Sequence, residues 1–299
     1  MRADLRQALR AAMIAAPLTL AMAACSRDAA APDSEPLDEA EALQIGREIA
    51  AEVQGMTRSL DLGDLLTPSF PGLALHPRPG FRCATLKPFP PDDTDGDGVP
   101  NTLTITFALP ACSFVHDRGT VEITGEVLIT DPSATDFGFQ VEVDELQERF
   151  IGPDGRFELR RLDGLVRVLR SAREFSVIDR TTATRESSDH SAAVLEKDWE
   201  VHFVADEGET IDGWRHLPSG TLTVNGSTIR TRGDHVHSLE IATAPDAPLH
   251  FDATCEADQK FDAGVLVITK ARGDERVTIT VTFTDCGEEP TIEFVPPGA

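Results

Sequence analysis

Tyrosine is missing from this 299-residue chain, and tryptophan occurs only twice. Binding surfaces draw much of their energy from those two residues, so a broad aromatic recognition site is not expected. Cationic side chains are scarce too: 27 Lys and Arg stand against 51 Asp and Glu, a net charge of −24. A surface of that sign repels phosphate backbones, which removes nucleic acid from the candidate partners. The common catalytic signatures are also absent. There is no G-x-S-x-G, no H-E-x-x-H, no C-x-x-C and no phosphate loop. Nothing nominates a nucleophile, and the expectation is a non-enzymatic protein. The hydrophobic content of 40% nevertheless suffices for a packed core, so wholesale disorder is excluded.

Cysteine is sparse and odd in number, five residues. In an exported protein the leftover thiol needs an explanation. The chain opens with the positively charged "MRADLRQALR", followed by an apolar run of 14 residues and then Cys25. That run is too short to span a bilayer as a permanent helix. It resembles a bacterial lipoprotein signal, in which two small residues precede the cysteine that receives the lipid. Ala23, Ala24 and Cys25 fill those places, with Met22 where leucine is usual. The resemblance implies a signal peptide at 1–24, acylation of Cys25 with palmitate-type chains, and a membrane partner through that anchor. By the lipoprotein sorting pattern, Ser26 implies the outer membrane of the cell envelope, with the protein periplasmic or surface-exposed. Ordinary cleavage after Ala23, releasing a soluble protein, is the alternative. If Cys83 pairs with Cys112 and Cys255 with Cys286, the unpaired cysteine is Cys25.

Residues 25–34 form a short Ala/Pro tether, and 35–299 show no composition break, so a single domain is expected. Ser34 is a candidate N-cap, with Glu35 and Pro36 suited to a first turn. Leu37, Ala40, Leu43, Ile49, Val53, Met56 and Leu60 recur at helical spacing, with Glu39, Glu41, Arg47, Glu48 and Glu52 filling much of the remainder. The pattern predicts one amphipathic helix over roughly 35–59. Beyond Pro71 the period falls to 2. "TLTITFAL" sets Leu103, Ile105, Phe107 and Leu109 against Thr104 and Thr106, and "VEITGEVLI" and "RVTITVTF" alternate in the same way. Turn formers "GPDG" at 152–155, "NGS" at 225–227, "RGD" at 232–234 and "ARGDE" at 271–275 separate such runs. Ten or more strands of this kind describe an α+β, mainly β domain: one helix packed on a large antiparallel meander, a curved sheet or half-barrel with one wet face. Cys112 and Cys286 each lie nine residues beyond the start of a Thr-alternating strand and in phase with its threonines, so each bridge is expected on the polar face.

The densest chemistry is "DTDGDGVPN" at 93–101. It resembles the calcium loops of thrombospondin type 3 repeats and the first half of an EF-hand, with the pattern D-x-D-x-D-G. Calcium takes six to eight oxygens in a flexible shell, and short carboxylates at alternate positions let one turning strand wrap the ion. The resemblance implies Asp93, Asp95 and Asp97 as side-chain ligands, the Val99 carbonyl, and Asn101 as a further oxygen or water-held contact, with Gly98 at the sharp turn. Thr104 stands where an EF-hand places its bidentate Glu, and no helices flank the loop. Asp92 or a carboxylate from elsewhere must therefore complete the shell, and the ion is expected to be a structural clasp.

Two weaker patterns remain. His235 and His237 fall on one side of a strand, a spacing seen in zinc sites, and His202, His216 or His250 could join them; two solvated histidines are the alternative. Residues 156–185 hold eight arginines against four acids. They could grip lipid phosphates or a carboxylated ligand, or balance neighbouring acids on a solvated strand face. Three functional readings follow: a structural or interaction module of the envelope braced by calcium and disulfides, a carrier of lipid or another apolar ligand, and a metal-dependent hydrolase.

Overall fold

The computed structural model describes residues 37–58 and 83–296, apart from 111, 117, 133–136, 189, 212–216, 234 and 273–274. The signal, the tether, Ser34, Cys25, Leu60 and His216 lie outside those residues. One helix, α1 (Glu39–Arg58), precedes fourteen strands. They are β1 (Thr85–Lys87), β2 (Thr102–Phe107), β3 (Ser113–His116), β4 (Gly119–Thr130), β5 (Phe137–Ile151), β6 (Phe157–Arg170) and β7 (Glu174–Ser187), then β8 (His190–Ala205), β9 (Gly220–Arg232), β10 (His235–Thr243), β11 (Leu249–Phe251), β12 (Phe261–Arg272), β13 (Glu275–Phe283) and β14 (Thr291–Val295). All form one antiparallel sheet in nearly sequential order. Only β3 and β11 leave that path: β3 pairs with β4 alone, and β11 inserts beside β9 and β12. The expected α+β meander is therefore present.

Period-2 patterning explains the faces. Along β13, Val277, Ile279, Val281 and Phe283 are buried, and Thr278, Thr280 and Thr282 between them are half-exposed. Phe175, Phe203, Phe251, Phe261 and Phe283 pass ring to ring across five strands, with centroids 5.1–6.5 Å apart. Such contacts add to the area they bury. The longest strands, β5 to β9, contain the arginine-rich segment, whose charge interrupts the apolar alternation that marks the other strands.

Several local expectations are corrected. The helix starts later than its periodicity suggests, because Asp38 rather than an earlier residue supplies the cap: its Oδ1 accepts the Glu41 N–H at 2.8 Å. Ala40 is exposed, and the buried face is Leu37, Ala42, Ile45, Ile49, Ala50 and Val53. Leu109 does not share the face of Leu103, Ile105 and Phe107; β2 ends at Phe107 and Leu109 is 49% exposed. "NGS" is not a turn. Gly226 sits inside β9 at φ 147°, where an added Cβ would lie 2.0 Å from the Asp198 carbonyl oxygen of β8. The glycine allows two backbones to approach within the sheet, which turn statistics do not distinguish from a hairpin.

Both expected disulfides are present. Cys83–Cys112 closes 29 positions and Cys255–Cys286 closes 31, with Cα atoms 5.0 and 6.1 Å apart. The polar-face expectation fails for the first. Cys112 is fully buried and Cys83 packs against the same core. The cysteines lie beyond the ends of β2 and β13, so strand phase no longer fixes their direction.

Helix α1 lies nearest β13 and β14, with Gly46 against Ile279 and Ile292. Its glutamates reach further across the sheet. Glu41 meets His237 on β10, Glu48 meets Arg230 on β9 and Glu52 meets Lys197 on β8. Side chains assigned from the sequence to the polar remainder of the helix thus face a polar zone on the sheet; Glu52 is only 3% exposed.

Candidate metal centre

The Asp93–Asn101 loop hangs between Cys83 and the start of β2, and two contacts fix its ends. Val99, expected as a carbonyl ligand, puts its side chain into the core. Asn101, expected as a further oxygen or water-held contact, staples the loop: its Oδ1 accepts the Thr94 N–H at 3.0 Å, its amide donates to the Thr94 hydroxyl, and its N–H reaches the Asp92 carbonyl at 2.8 Å.

Within that frame the backbone aims the carboxylates inward. Asp93 accepts N–H groups from Gly96 (2.8 Å) and Gly98 (3.1 Å), Asp95 accepts from Asp97 (3.3 Å), and Asp97 accepts from Val99 (2.7 Å). Gly98, at φ 92°, makes the turn that lets Asp93 span five residues. One carboxylate oxygen from each of Asp93, Asp95 and Asp97 lies within 4.8 Å of the others. Oxygens bound to one calcium ion at about 2.3–2.6 Å can stand no more than about 5 Å apart, so the spacing fits a single ion.

The electrostatics point the same way. Burial pushes the Asp97 carboxyl up to about 6, and repulsion from Asp95, Asp131 and Asp93 adds to it, outweighing the Val99 N–H bond. Its Oδ2 is buried with no hydrogen-bond partner. Among the described residues, no lysine or arginine forms an ion pair with any of the three aspartates. An uncompensated buried carboxylate oxygen is costly unless a cation arrives.

Asp131 was not legible as a member. It follows β4, and the register pairing Thr102 with Thr130 carries it beside Asn101, where its N–H meets the Asn101 carbonyl at 3.4 Å. Its charge helps raise the Asp97 pKa, although its carboxylate is not among the three that gather within 4.8 Å. Only the pairing of β2 with β4 could have disclosed it; Asp92 contributes its carbonyl to Asn101.

The other candidates separate. His235 is exposed, whereas His237 is buried, its Nε2 2.9 Å from Glu41 Oε1 and its Nδ1 2.8 Å from Lys270 Nζ. His202 lies 3.4 Å from Glu174. His250 stands between Asp262 (2.7 Å) and Asp206 (3.1 Å). Burial disfavours its charged form, but these two carboxylates prevail and raise its pKa above 6.5. Among the described residues only the three aspartates bring three metal-ligand side chains together. The eight arginines all have partners: acids for Arg156, Arg160, Arg161, Arg180 and Arg185, the Gln140 amide for Arg167, and backbone carbonyls for Arg170 and Arg173. That pattern belongs to a balanced strand face.

No family model, curated protein or solved structure matches the chain.

Proposed function

We propose that this chain is an exported, lipid-anchored module of the cell envelope with a structural or interaction role and no catalytic one, its sheet braced by two disulfides and a calcium ion. Disulfides persist in oxidising compartments, where millimolar calcium is also available, and that supports export. The observation that carries the reading is the loop itself, where three carboxylates converge on one point and the buried Asp97 Oδ2 is left unpartnered. Asp93, Asp95 and Asp97 would hold the ion, and Asp131 lies close enough to repel Asp97. The ion's chemistry here is charge neutralisation. It removes repulsion among the carboxylates and stiffens the segment enclosed by Cys83 and Cys112. Outer-membrane attachment through acylated Cys25 remains part of the proposal. Mass spectrometry of the mature protein, purified from membranes, tests it: the expected N-terminus is a triacylated Cys25, and an unmodified Ala24 or Cys25 refutes the anchor.

A further inference from the structure

The inner face of the sheet carries a second charge anomaly, opposite in sign to the loop. In a chain with net charge −24, three cations and a histidine occupy one face of four neighbouring strands: Lys197 on β8, Arg230 on β9, His237 on β10 and Lys270 on β12. They are nearly buried, with His237 5% and Lys270 2% exposed. The registers Leu195–Arg230 and Arg230–His237 place the middle of this row side by side. Cations that merely balanced surface acids would sit on the wet face, as Arg180 of β7 does.

Most of the anions that answer this row come from α1. Glu41, Glu48 and Glu52, spaced by seven and four residues, share one side of the helix. They reach His237, Arg230 and Lys197 in turn, with Asp179 of β7 the one further acid at Lys197.

The match is incomplete. Both carboxylate oxygens of Glu52 are buried without a hydrogen-bond partner, as is Arg230 Nε. Lys197 Nζ stands 3.6 Å from Glu52 and 3.7 Å from Asp179, outside hydrogen-bonding range of either, over the Trp199 ring at 5.0 Å. Buried polar groups left so are costly, which weakens the grip of the cover without altering the strip beneath. We propose that the strip Lys197–Arg230–His237–Lys270 is a docking site for an acidic amphipathic helix, filled in this structure by the chain's own α1 and open to a glutamate-rich helix of a partner when α1 lifts. Charge complementarity selects the occupant: a helix brings apolar residues and carboxylates on one face, as the mixed surface requires. Lifting α1 without a replacement would take Glu48 from Arg230, Glu41 from His237 and Glu52 from Lys197, so exchange is coupled to arrival of the partner.

The test uses the full chain with Glu41→Gln, Glu48→Gln and Glu52→Gln, which weakens the internal competitor. The probes are a labelled peptide of residues 38–58 and the same peptide with those three glutamates replaced by glutamine. The expected result is at least about tenfold tighter binding of the acidic peptide, a preference abolished by adding Lys197→Gln and Arg230→Gln. Equal affinity for the two peptides overturns the proposal. So does the absence of saturable binding, or displacement of the acidic peptide by an equal concentration of inorganic phosphate, which would mark a general anion site. Should the triple variant fail to fold, the single Glu52→Gln chain carries the same comparison.

Discussion

Replacing Asp97 by asparagine separates the two states of the loop. Without calcium the ionised Asp97 is a liability, since burial and three neighbouring carboxylates hold its pKa at about 6. Asparagine removes that charge, so the calcium-free variant at about pH 7.5 should melt no lower than the parent. Calcium reverses the order. For a loop site with a Kd of about 10⁻⁴–10⁻³ M, about 10 mM calcium stabilises the parent by about 1.4–2.7 kcal/mol. In a domain of this size that raises Tm by roughly 3–10 °C. At about pH 5 only about a tenth of Asp97 is ionised, binding weakens about tenfold, and the gain falls to about 0.4–1.4 kcal/mol. The raised pKa also fixes the sign for the calcium-free protein: stability is greatest below 3.8 on this group's account and is lost as pH rises through about 6. Differential scanning calorimetry of parent and Asp97→Asn, with chelator and with calcium at both pH values, measures all of this. A parent Tm indifferent to calcium at pH 7.5, or an Asp97→Asn chain that melts lower without calcium yet keeps the full calcium response, refutes the reasoning.

Other elements give independent outcomes. His250, with its pKa raised by Asp262 and Asp206, stabilises the fold below 6.5 and loses that contribution as pH rises through its folded value. The denaturation midpoint in saturating calcium should therefore fall between about pH 6 and pH 8, and His250→Gln should flatten the slope; an unchanged slope refutes the clamp. Gly226→Ala places a methyl 2.0 Å from the Asp198 oxygen at φ 147°, and urea denaturation should show a loss of about 3 kcal/mol or more. Gly208→Ala, at φ 91° with nothing within 4 Å, should cost only about 1 kcal/mol. Replacing either cysteine pair by serine should cost about 3–4 kcal/mol from loop entropy. The Cys83/Cys112 pair should cost more, because Cys112 is fully buried and a serine hydroxyl there would need a partner.

Strand alternation, helix periodicity and both cysteine pairings were legible because each depends on a short-range rule. Threonine alternation in β2 and β13 marks half-buried strands whichever neighbours they pair with, and a bridge over about 30 residues needs only two strand ends brought together. What escaped depends on register. Asp131 joins the acidic loop only because Thr102 pairs with Thr130. Gly226 looked like a turn because proximity to Asp198 belongs to β8, 28 positions away in sequence. The partners of Glu48 and Glu52 escaped because a helix pattern shows which residues are polar and not whether the surface opposite is polar as well. The arginines of β6 and β7 blurred two long strands, since a cation next to a leucine breaks the binary code even where cross-strand acids neutralise it.

The acidic excess is sorted rather than spread, and the sorting gives the loop its meaning. Every arginine from 156 to 185 is engaged, four of them by acids on the same or an adjacent strand and Arg156 by Asp154 in the turn before β6. In the inner row, Lys197, Arg230 and His237 are engaged by α1 and Asp179, and Lys270 by His237. These cations are committed elsewhere, and Asp93, Asp95 and Asp97 have no lysine or arginine ion pair among the described residues. Folding holds these carboxylates together, whereas an unfolded chain would let them separate, so the loop subtracts from stability unless a mobile ion enters. A side-chain lysine would neutralise one charge with a single point contact. A divalent ion at the focus of three carboxylates would neutralise two and would be supplied by the medium, so on the proposed reading the loop's rigidity depends on the compartment in which the chain resides. On that argument an acidic turn bridged by a disulfide and lacking a protein cation is matched to a calcium-rich, oxidising environment, and the same turn in the cytosol would only weaken the fold.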